Sequence, residues 1–484
     1  MSRRTKVTLA VSVGVFMASL DLFIVNIAFP NIQRDFTGTN LGSLSWILNA
    51  YAIVFAALLV PAGRWADRAG RKRGFLGGLI LFSVASAACA AAPSIEVLVA
   101  ARAVQAIGAA FMVPTSLGLL LPEYPPNKRA AAVGIWAAVG GVAAAAGPPL
   151  GGLLVQAGWR WVFLVNVPIG LATLFVARSL LREVRDRSGA RPDLIGAILC
   201  MAGIGALTFA IVKGPDWGWG SPRVVGLLSA AALFVVGVAA RSARHPAPLI
   251  EPAIARTRAI ALANLGAVLF FCAFGALLLG SVLFLTSVWH ESVLRAGLQI
   301  APGPATAALF AFPGGVLGQR LGQRYVGLAG ALLFASGGVW MRTHMGATPN
   351  YAGDFLPAQL LGGAGVGLVL PTLSAAATGP LPPTRLATGT AVLGMSRQVG
   401  SALGVAILVA ILGHPSPASA LGAFQDGWTF MIVATLAAGA ALLAVGPVRM
   451  GAAGAEVTGA GAGGALGSEV AGVGAEPGLG RAAA

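Results

Sequence analysis

The chain is dominated by a succession of apolar segments about 17 to 25 residues long, the length of an α-helix that crosses a lipid bilayer. About fourteen occur, separated by charged residues, proline or glycine. Strand-type alternation is absent from them, and backbone in lipid must satisfy its own hydrogen bonds, so each segment is predicted to be helical. The sequence therefore predicts an all-α polytopic membrane protein. The predicted spans are 7–30, 43–62, 74–92, 95–121, 131–154, 160–181, 192–212, 223–240, 260–287, 297–318, 324–341, 354–377, 390–413 and 425–447.

Composition and charge support this class. Hydrophobic residues make up 57% of the chain and charged residues 10%, too few to coat a soluble protein of 484 residues. Of the 32 Lys and Arg residues, 24 lie before the first span, in alternate loops and in the tail, while six lie in the other loops. Positively charged loops stay in the cytoplasm, so both ends of the chain are predicted to lie on the cytoplasmic side of the cell membrane. Anionic lipid headgroups then account for the net charge of +16, and no nucleic-acid partner is expected.

An internal repeat predicts how the spans are grouped. The tripeptide Val-Pro-Thr at 113–115 reappears 257 positions later as Leu-Pro-Thr at 370–372, and the segment 63–72 is echoed at 315–324. Transporters are commonly built from repeated halves. We therefore predict a six-helix bundle at 1–185, two inserted helices at 186–258, a second six-helix bundle at 259–449 and a disordered Gly/Ala-rich cytoplasmic tail at 450–484.

Asp21 is predicted to lie about 21 Å into the first span, on a stripe with Gly14, Ala18, Val25 and Ala28. Burial in lipid disfavours the charged form of a carboxyl group, so such an acid can take and release a proton. The alternative is an Asp fixed structurally by an arginine or a backbone partner.

Arg102 and Gln105 share one face of span 4. An arginine at that depth is costly unless paired or hydrated, and Asp21 is the obvious partner. The alternative is an Arg102 that extends to the outer interface. Arg397, with Gln398 in span 13, has two similar readings: it faces a cavity and meets substrate, or it reaches back to the inner interface.

Two glycine-containing segments suggest conformational elements. In span 5, Gly140, Ala144, Gly147 and Gly151 form a stripe for close helix packing, and Pro148 bends the helix. In the loop after span 2, Asp67 lies among arginines and can cap a helix or form an ion pair. A loop that only sets topology is an equally good interpretation of the second segment.

Taken together, Asp21 with its flanks, the loop 63–73, Arg102 with Gly108, Gly147-Pro148 and the segment 159–170 resemble the fourteen-span drug/proton antiporters of the major facilitator superfamily. The resemblance implies alternating access, with Asp21 as the protonation site and Arg102 as its coupling partner. It also implies conformational roles for a set of gate residues: Gly63, Asp67, Arg68, Gly70, Arg71, Gly147 and Pro148. Two positions depart from the pattern: Ala143 replaces a frequent glycine, and Gln319 replaces the acid expected in the repeated loop.

The sequence thus favours a proton-coupled antiporter that exports hydrophobic small molecules such as drugs or antibiotics, driven by the proton gradient without a cofactor. The alternatives are an importer on the same fold and a membrane sensor that does not transport. A membrane enzyme would need a nucleophile, base or metal set near one surface, and none is evident, since the histidines and the three cysteines are scattered. The polar residues expected to line the substrate cavity are Asn26, Gln105, Asn166, Gln359, Arg397 and Gln398.

Overall fold

The computed structural model describes residues 2–125, 128–185, 191–381, 385–413 and 419–446, which are almost entirely helical. The tail at 450–484 lies outside the described residues. The first helices are α1 (Arg3–Asp35), α2 (Leu41–Ala69), α3 (Arg71–Ala91), α4 (Ile95–Leu120), α5 (Arg129–Gln156), α6 (Trp161–Leu164), α7 (Asn166–Leu180), α8 (Leu194–Trp217) and α9 (Pro222–Ser242). The later helices are α10 (Pro252–Ala255), α11 (Arg258–Ser287), α12 (Val293–Ile300), α13 (Pro302–Leu321), α14 (Gln323–His344), α15 (Leu356–Thr378), α16 (Leu386–Leu412) and α17 (Ala420–Ala444).

Thirteen helical segments of the described chain are long and apolar enough to cross a membrane. The remaining predicted span corresponds to α14, which has 22 residues and a less apolar composition that ends in Arg342 and His344. Polar residues begin several helices: the side chains of Asn40 and Ser94 accept hydrogen bonds from the backbone three residues later. These caps satisfy amide groups that have no partner inside the helix.

Two predicted spans are interrupted helices. The span predicted at 160–181 consists of α6 and α7, and Pro168 explains the break because it has no N–H to donate to the carbonyl of Leu164. The span predicted at 297–318 begins with the short helix α12 and continues as α13 after Ala301. Pro302 is the first residue of α13, a position where its missing N–H costs nothing.

The helices contact one another in two similar groups. In the first group α1 packs on α4, α5 and α7, and α4 packs on α2 and α3. In the second group α11 packs on α15, α16 and α17, and α15 packs on α13 and α14. The helices α8 and α9 pack on each other, and α8 also contacts both α2 and α16.

The repeat is visible in the closest helix crossings. A Cβ on Gly108 would lie 2.6 Å from the backbone nitrogen of Phe82, and a Cβ on Gly365 would lie 2.6 Å from that of Phe334. Because only glycine permits this approach, α3 and α4 cross at backbone contact, as α14 and α15 do. Gly365 follows Gly108 by 257 positions, the offset found in the sequence.

The two groups of helices meet along α2 and α16 and at one end of the molecule. We call the end that carries Gly70, Glu183 and Glu251 the basic end, and the end that carries Trp159 and Trp289 the far end. Along the seam, Ala52 and Ile53 of α2 cluster with Ala402 of α16. Towards the far end, α5 contacts α12 and α13, and a hydrophobic core continues from the first group into the second.

Candidate functional site

A hydrogen-bonded cluster of charged and polar side chains lies in the interior of the first helix group. Asp21 and Arg102 form an ion pair through Arg102 Nη1 and Asp21 Oδ2. Arg102 Nη1 also donates to Gln105 Oε1 at 2.6 Å, and Gln105 Nε2 donates to Asp21 Oδ1 at 2.9 Å. The three side chains therefore form a closed ring, and none of the three residues has solvent exposure.

Three further helices complete the surroundings of the ring. Gln105 Nε2 donates to Ser86 Oγ of α3 at 2.8 Å, and Arg102 Nε donates to the carbonyl of Ile47 in α2 at 3.1 Å. The guanidinium of Arg102 lies 4.2 Å from the ring centroid of Tyr51 and 5.8 Å from that of Phe163. Aromatic faces attract a cation and keep water away from it. The arginine is thus solvated by protein groups alone.

The ring compensates the charge of Arg102. The guanidinium of Arg102 is positively charged, and Asp21 is the acidic group that it contacts directly. A neutral Asp21 would leave a buried guanidinium without its counter-charge, which costs several kcal/mol. Protonation of Asp21 and the present position of Arg102 are therefore energetically opposed. The alternative in which Arg102 extends to the outer interface is wrong, because the guanidinium points to Asp21 instead.

The other predicted cavity residues divide into buried and accessible ones. Asn26, Asn166 and Gln359 are at most 8% exposed. Both polar atoms of the Asn166 side chain, together with Asn26 Oδ1 and Gln359 Nε2, have no hydrogen-bond partner among the described residues. Gln359 follows Arg102 by 257 positions, so the second half carries a neutral amide where the first half carries the paired arginine.

Arg397 and Gln398 are the accessible members of the predicted set. Arg397 is exposed although it lies in the middle of α16, and its guanidinium is 4.6 Å from the ring centroid of Phe271. Gln398 is half-buried. Arg397 forms no hydrogen bond or ion pair with any described residue.

Five of the predicted gate residues lie at the basic end, where α2 turns into α3: Gly63, Asp67, Arg68, Gly70 and Arg71. Asp67 Oδ1 and Arg71 Nε form an ion pair of 2.7 Å, and Arg71 Nη1 donates to the carbonyl of Gly118 in α4 at 2.9 Å. A Cβ added on Gly63 would lie 3.4 Å from Pro114 of α4, an ordinary contact distance. Arg68 is in the last turn of α2. The turn is thus fixed to α4 by Arg71.

Gly70 occupies this turn because no other residue fits. Its φ is +126°, and an added Cβ would lie 2.5 Å from the carboxylate of Glu183. Glu183 Oε1 accepts a hydrogen bond of 3.0 Å from the backbone of Lys72, the second residue of α3. The corresponding Gly322 has a φ of +99°. Among the described residues no ion pair forms at that second turn, in keeping with Gln319 in place of an acid.

Glu251, which the sequence analysis did not single out, links the two helix groups at the basic end. Its Oε1 lies 3.1 Å from Arg64 Nη2 of α2, and its Oε2 lies 3.7 Å from Arg385 Nε, immediately before α16. Arg64 Nη1 also donates to the carbonyl of Pro248 at 2.7 Å. The segment that joins the inserted helices to the second group therefore carries a carboxylate shared by both groups.

The glycine stripe of α5 packs against α1, while the opposite side of α5 meets the second group. An added Cβ on Gly147 would lie 2.5 Å from Phe23 Cβ, and one on Gly151 would lie 3.0 Å from Ile24. On the other side, Gly297 of α12 lies so close to the carbonyl oxygen of Pro148 that a Cβ would overlap it. Gly147 and Pro148 thus lie where α1, α5 and α12 meet.

Residues 11–305 match the model of the Major Facilitator Superfamily, well over half of the chain. The chain belongs to this superfamily. The superfamily and its relatives below are membrane transporters, not enzymes, so this chain is a multi-pass membrane transporter. The resemblance to the major facilitator superfamily seen in the sequence is thereby confirmed.

Similar proteins are named for resistance to drugs and antibiotics. The chain is 35% identical to the multidrug resistance protein Stp of Mycobacterium tuberculosis, over 85% of this chain and 76% of that protein. It is 34% identical to a tetracenomycin C resistance and export protein of Streptomyces glaucescens, over 87% and 77% of the two chains. It is 33% identical to a methylenomycin A resistance protein of Bacillus subtilis, over 90% and 93%.

Solved structures share the fold at low sequence identity. A bacterial homologue of the human lysosomal transporter Spinster, in an inward-facing and unoccupied conformation, matches with a TM-score of 0.65 and 19% identity, over 92% of this chain and 97% of that chain. A D-xylose–proton symporter matches with a TM-score of 0.65 and 13% identity, over 93% and 99% of the two chains. The all-helical transporter fold is thus confirmed.

The sequence did not identify the groups that enclose the ion pair. Tyr51, Ser86 and Phe163 all have 0% exposure next to Arg102 or Gln105. Ser86 and Tyr51 are polar residues inside apolar segments, which is a weak signal because many such residues bond only to their own helix. Glu251 gave no signal, since it lies in a loop far from both of its partners in the sequence.

Proposed function

We propose that this transporter exports hydrophobic small molecules in exchange for protons, and that Asp21 is the proton-coupling residue. The observation that carries the proposal is the ring of Asp21, Arg102 and Gln105 inside the first helix group. Asp21 is the one acid of the described residues that lies deep within a membrane helix, since the others lie at or near helix ends. A single deep acid with a charge partner is the minimum that proton coupling requires.

Coupling follows from the opposed energetics of the ring. Proton binding to Asp21 removes the counter-charge of Arg102, so the guanidinium must find another partner, and the packing of α1 on α4 must change with it. Loss of the proton restores the ring and the packing described above. A proton thus selects between two arrangements of helices, as alternating access requires.

The moving parts are proposed to be the two bundles at 1–185 and 259–449, with 186–258 as the inserted pair. The contacts of α5 with α12 near Gly152 and Leu294 close the far end. With the basic end in the cytoplasm and both chain ends inside, this arrangement corresponds to an inward-facing conformation. Asp67, Arg71 and the turn at Gly70 then belong to the cytoplasmic gate.

Export, rather than import, is supported by the relatives that are named resistance or export proteins. One of these relatives is named for multidrug resistance and two others for different antibiotics, so the names support a class of small-molecule substrates and no single compound. The Gly147-Pro148 element lies where α5 meets α1 and α12, so a change in α5 at this element would act on the contact between the bundles.

The test is substrate-induced proton movement in proteoliposomes. Purified protein is reconstituted with a pH-sensitive dye inside, and anionic, neutral and cationic lipophilic compounds are added in turn. We expect at least one compound to move protons, and Asp21→Asn to abolish that movement while substrate binding persists. Arg320→Gln is the matched control, because Arg320 is an exposed residue at the basic end.

Two outcomes would contradict the proposal. Substrate transport without proton movement would indicate an uncoupled carrier. Binding without transport of any compound would indicate a sensor, and Asp21 would then have a structural role.

A further inference from the structure

Arg397 lies between the two bundles and faces the interior. It is 11 residues into α16, about 16 Å from the start of that helix. One turn earlier, a Cβ on Gly394 would lie 2.7 Å from Leu59 of α2; one turn later, a Cβ on Gly400 would lie 3.0 Å from Phe271 Cβ of α11. Arg397 therefore projects into the angle between α2 of one bundle and α11 of the other, away from lipid.

No acidic side chain of the described residues forms an ion pair with Arg397. The acids of the described residues other than Asp21 lie at or near helix ends, and Asp21 is already paired with Arg102. Within the part of the chain that the structure describes, the central region thus contains one carboxylate and two guanidinium groups, a net charge of +1 when Asp21 is ionised. An unpaired arginine at this depth is costly, which makes it a marker of function.

Aromatic side chains extend from Arg397 towards the first bundle. The ring centroids of Phe271 and Phe274 are 5.7 Å apart, and those of Phe274 and Phe23 are 6.4 Å apart. Phe274 and Phe23 are both half-buried, so part of each side chain remains accessible. A cation at one end of an aromatic surface matches a molecule with an acidic group at one end of an apolar body.

We propose that Arg397 binds the acidic group of the exported substrate, so that the transporter prefers amphipathic anions, aromatic carboxylates above all, over cations of the same shape. A carboxylate accepts two parallel hydrogen bonds from a guanidinium, while the apolar body contacts Phe274 and Phe23. A lipophilic cation would meet an uncompensated positive charge. This inference rests on the proposed transport function and specifies its substrate class.

The test compares three probes with one fluorescent body: pyrenebutyrate, pyrenebutyramide and pyrenebutylamine. Binding to the full-length protein in lipid nanodiscs is measured by energy transfer from tryptophan to pyrene. We expect wild-type protein to bind the butyrate about tenfold or more tightly than the butyramide, as a charge-assisted hydrogen bond provides. Arg397→Gln should reduce that preference to about twofold or less, and Arg397→Lys should retain part of it.

Arg320→Gln is again the control, since it removes one positive charge from the same half of the chain outside the site. It should leave the butyrate preference unchanged. If wild-type protein binds pyrenebutylamine as tightly as pyrenebutyrate, or if Arg397→Gln weakens the butyrate and the butyramide equally, the inference is wrong. Equal weakening would mean that Arg397 only holds α16 against α11.

Transport of the same probes in proteoliposomes separates this inference from the proposed function. If the Arg397-dependent preference is found but no probe moves protons, proton antiport fails and the anion site stands. If wild-type protein exchanges protons for probes of all three charges with equal efficiency, antiport stands and the anion site fails.

Discussion

Arg102 donates a hydrogen bond to Asp21 from a position 81 residues later in the chain, and the two side chains are 1% and 0% exposed. This pair sets the energetics of the first bundle, because each charge depends on the other for compensation. Removing one partner leaves a buried charge, whereas removing both leaves a neutral cavity.

The first prediction concerns this asymmetry. Arg102→Gln should lower the free energy of unfolding by about 3 to 5 kcal/mol. The double variant Asp21→Asn with Arg102→Gln should recover part of that loss. Thermal unfolding in detergent measures both. Arg160→Gln is the control, since its pair with Asp35 is about half exposed and should contribute less than about 1 kcal/mol. An Arg102→Gln protein as stable as wild type would contradict the buried ion pair.

The second prediction concerns the far end. A Cβ on Gly297 overlaps the carbonyl oxygen of Pro148, and backbone atoms of two helices cannot yield as a flexible side chain does. Gly297→Ala should therefore separate α5 from α12. Spin labels at Gln156→Cys and Arg295→Cys should then report a longer mean distance. Gly141→Ala should leave the distance unchanged, because nothing lies within 4 Å of an added Cβ there. Equal distances in the two variants would contradict a tight contact.

The third prediction concerns Glu251, which contacts Arg64 and Arg385 from opposite bundles. Glu251→Gln should weaken both contacts and shift the population away from the present arrangement by several-fold. Distance measurements between labels on the two bundles at the basic end would detect this. Glu183→Gln provides the control, because the contacts of Glu183 stay within the first bundle. A shift of the same size in both variants would mean that any lost carboxylate at this end has the effect.

The fourth prediction concerns Asp67. Its ion pair with Arg71 is partly exposed, so Asp67→Asn should change the free energy of unfolding by less than about 1 kcal/mol. The transport rate should nevertheless fall several-fold, because Arg71 loses the anchor from which it reaches Gly118 of α4. Unfolding and transport measured on the same preparation separate the two effects. A large loss of stability would assign Asp67 a structural role instead.

The sequence was sufficient for the helices and for the ion pair, for related physical reasons. An apolar segment of membrane length can satisfy its backbone only as a helix. A charge inside such a helix needs a partner, so the pair of Asp21 and Arg102 could be predicted from the sequence. The helix breaks at Val165 and Ala301 were not predicted, because both lie inside apolar segments that read as continuous.

Which polar residues face open space could not be predicted either. All three of Asn166, Gln359 and Arg397 were predicted to line the cavity. The side chains of Asn166 and Gln359 are buried, whereas that of Arg397 is accessible. A helix that is apolar on all sides carries no periodic signal for its rotation about its own axis. Packing between bundles decides that rotation, and the decisive contacts, such as Gly394 on Leu59, join residues far apart in sequence.

The position of α8 has a consequence for molecules dissolved in the bilayer. Two seams run between the bundles, one along α2 and α16 and one along α5 and α13, and α8 contacts both helices of the first. The helix α8 covers that seam on the lipid side. A lipophilic compound could enter laterally between α2 and α16 only after α8 had moved away. Within the described residues α8 has no counterpart over the second seam. The two seams therefore differ in their access to lipid. The additional helix pair makes lateral entry from the membrane easier on the side of α5 and α13 than on the side of α2 and α16.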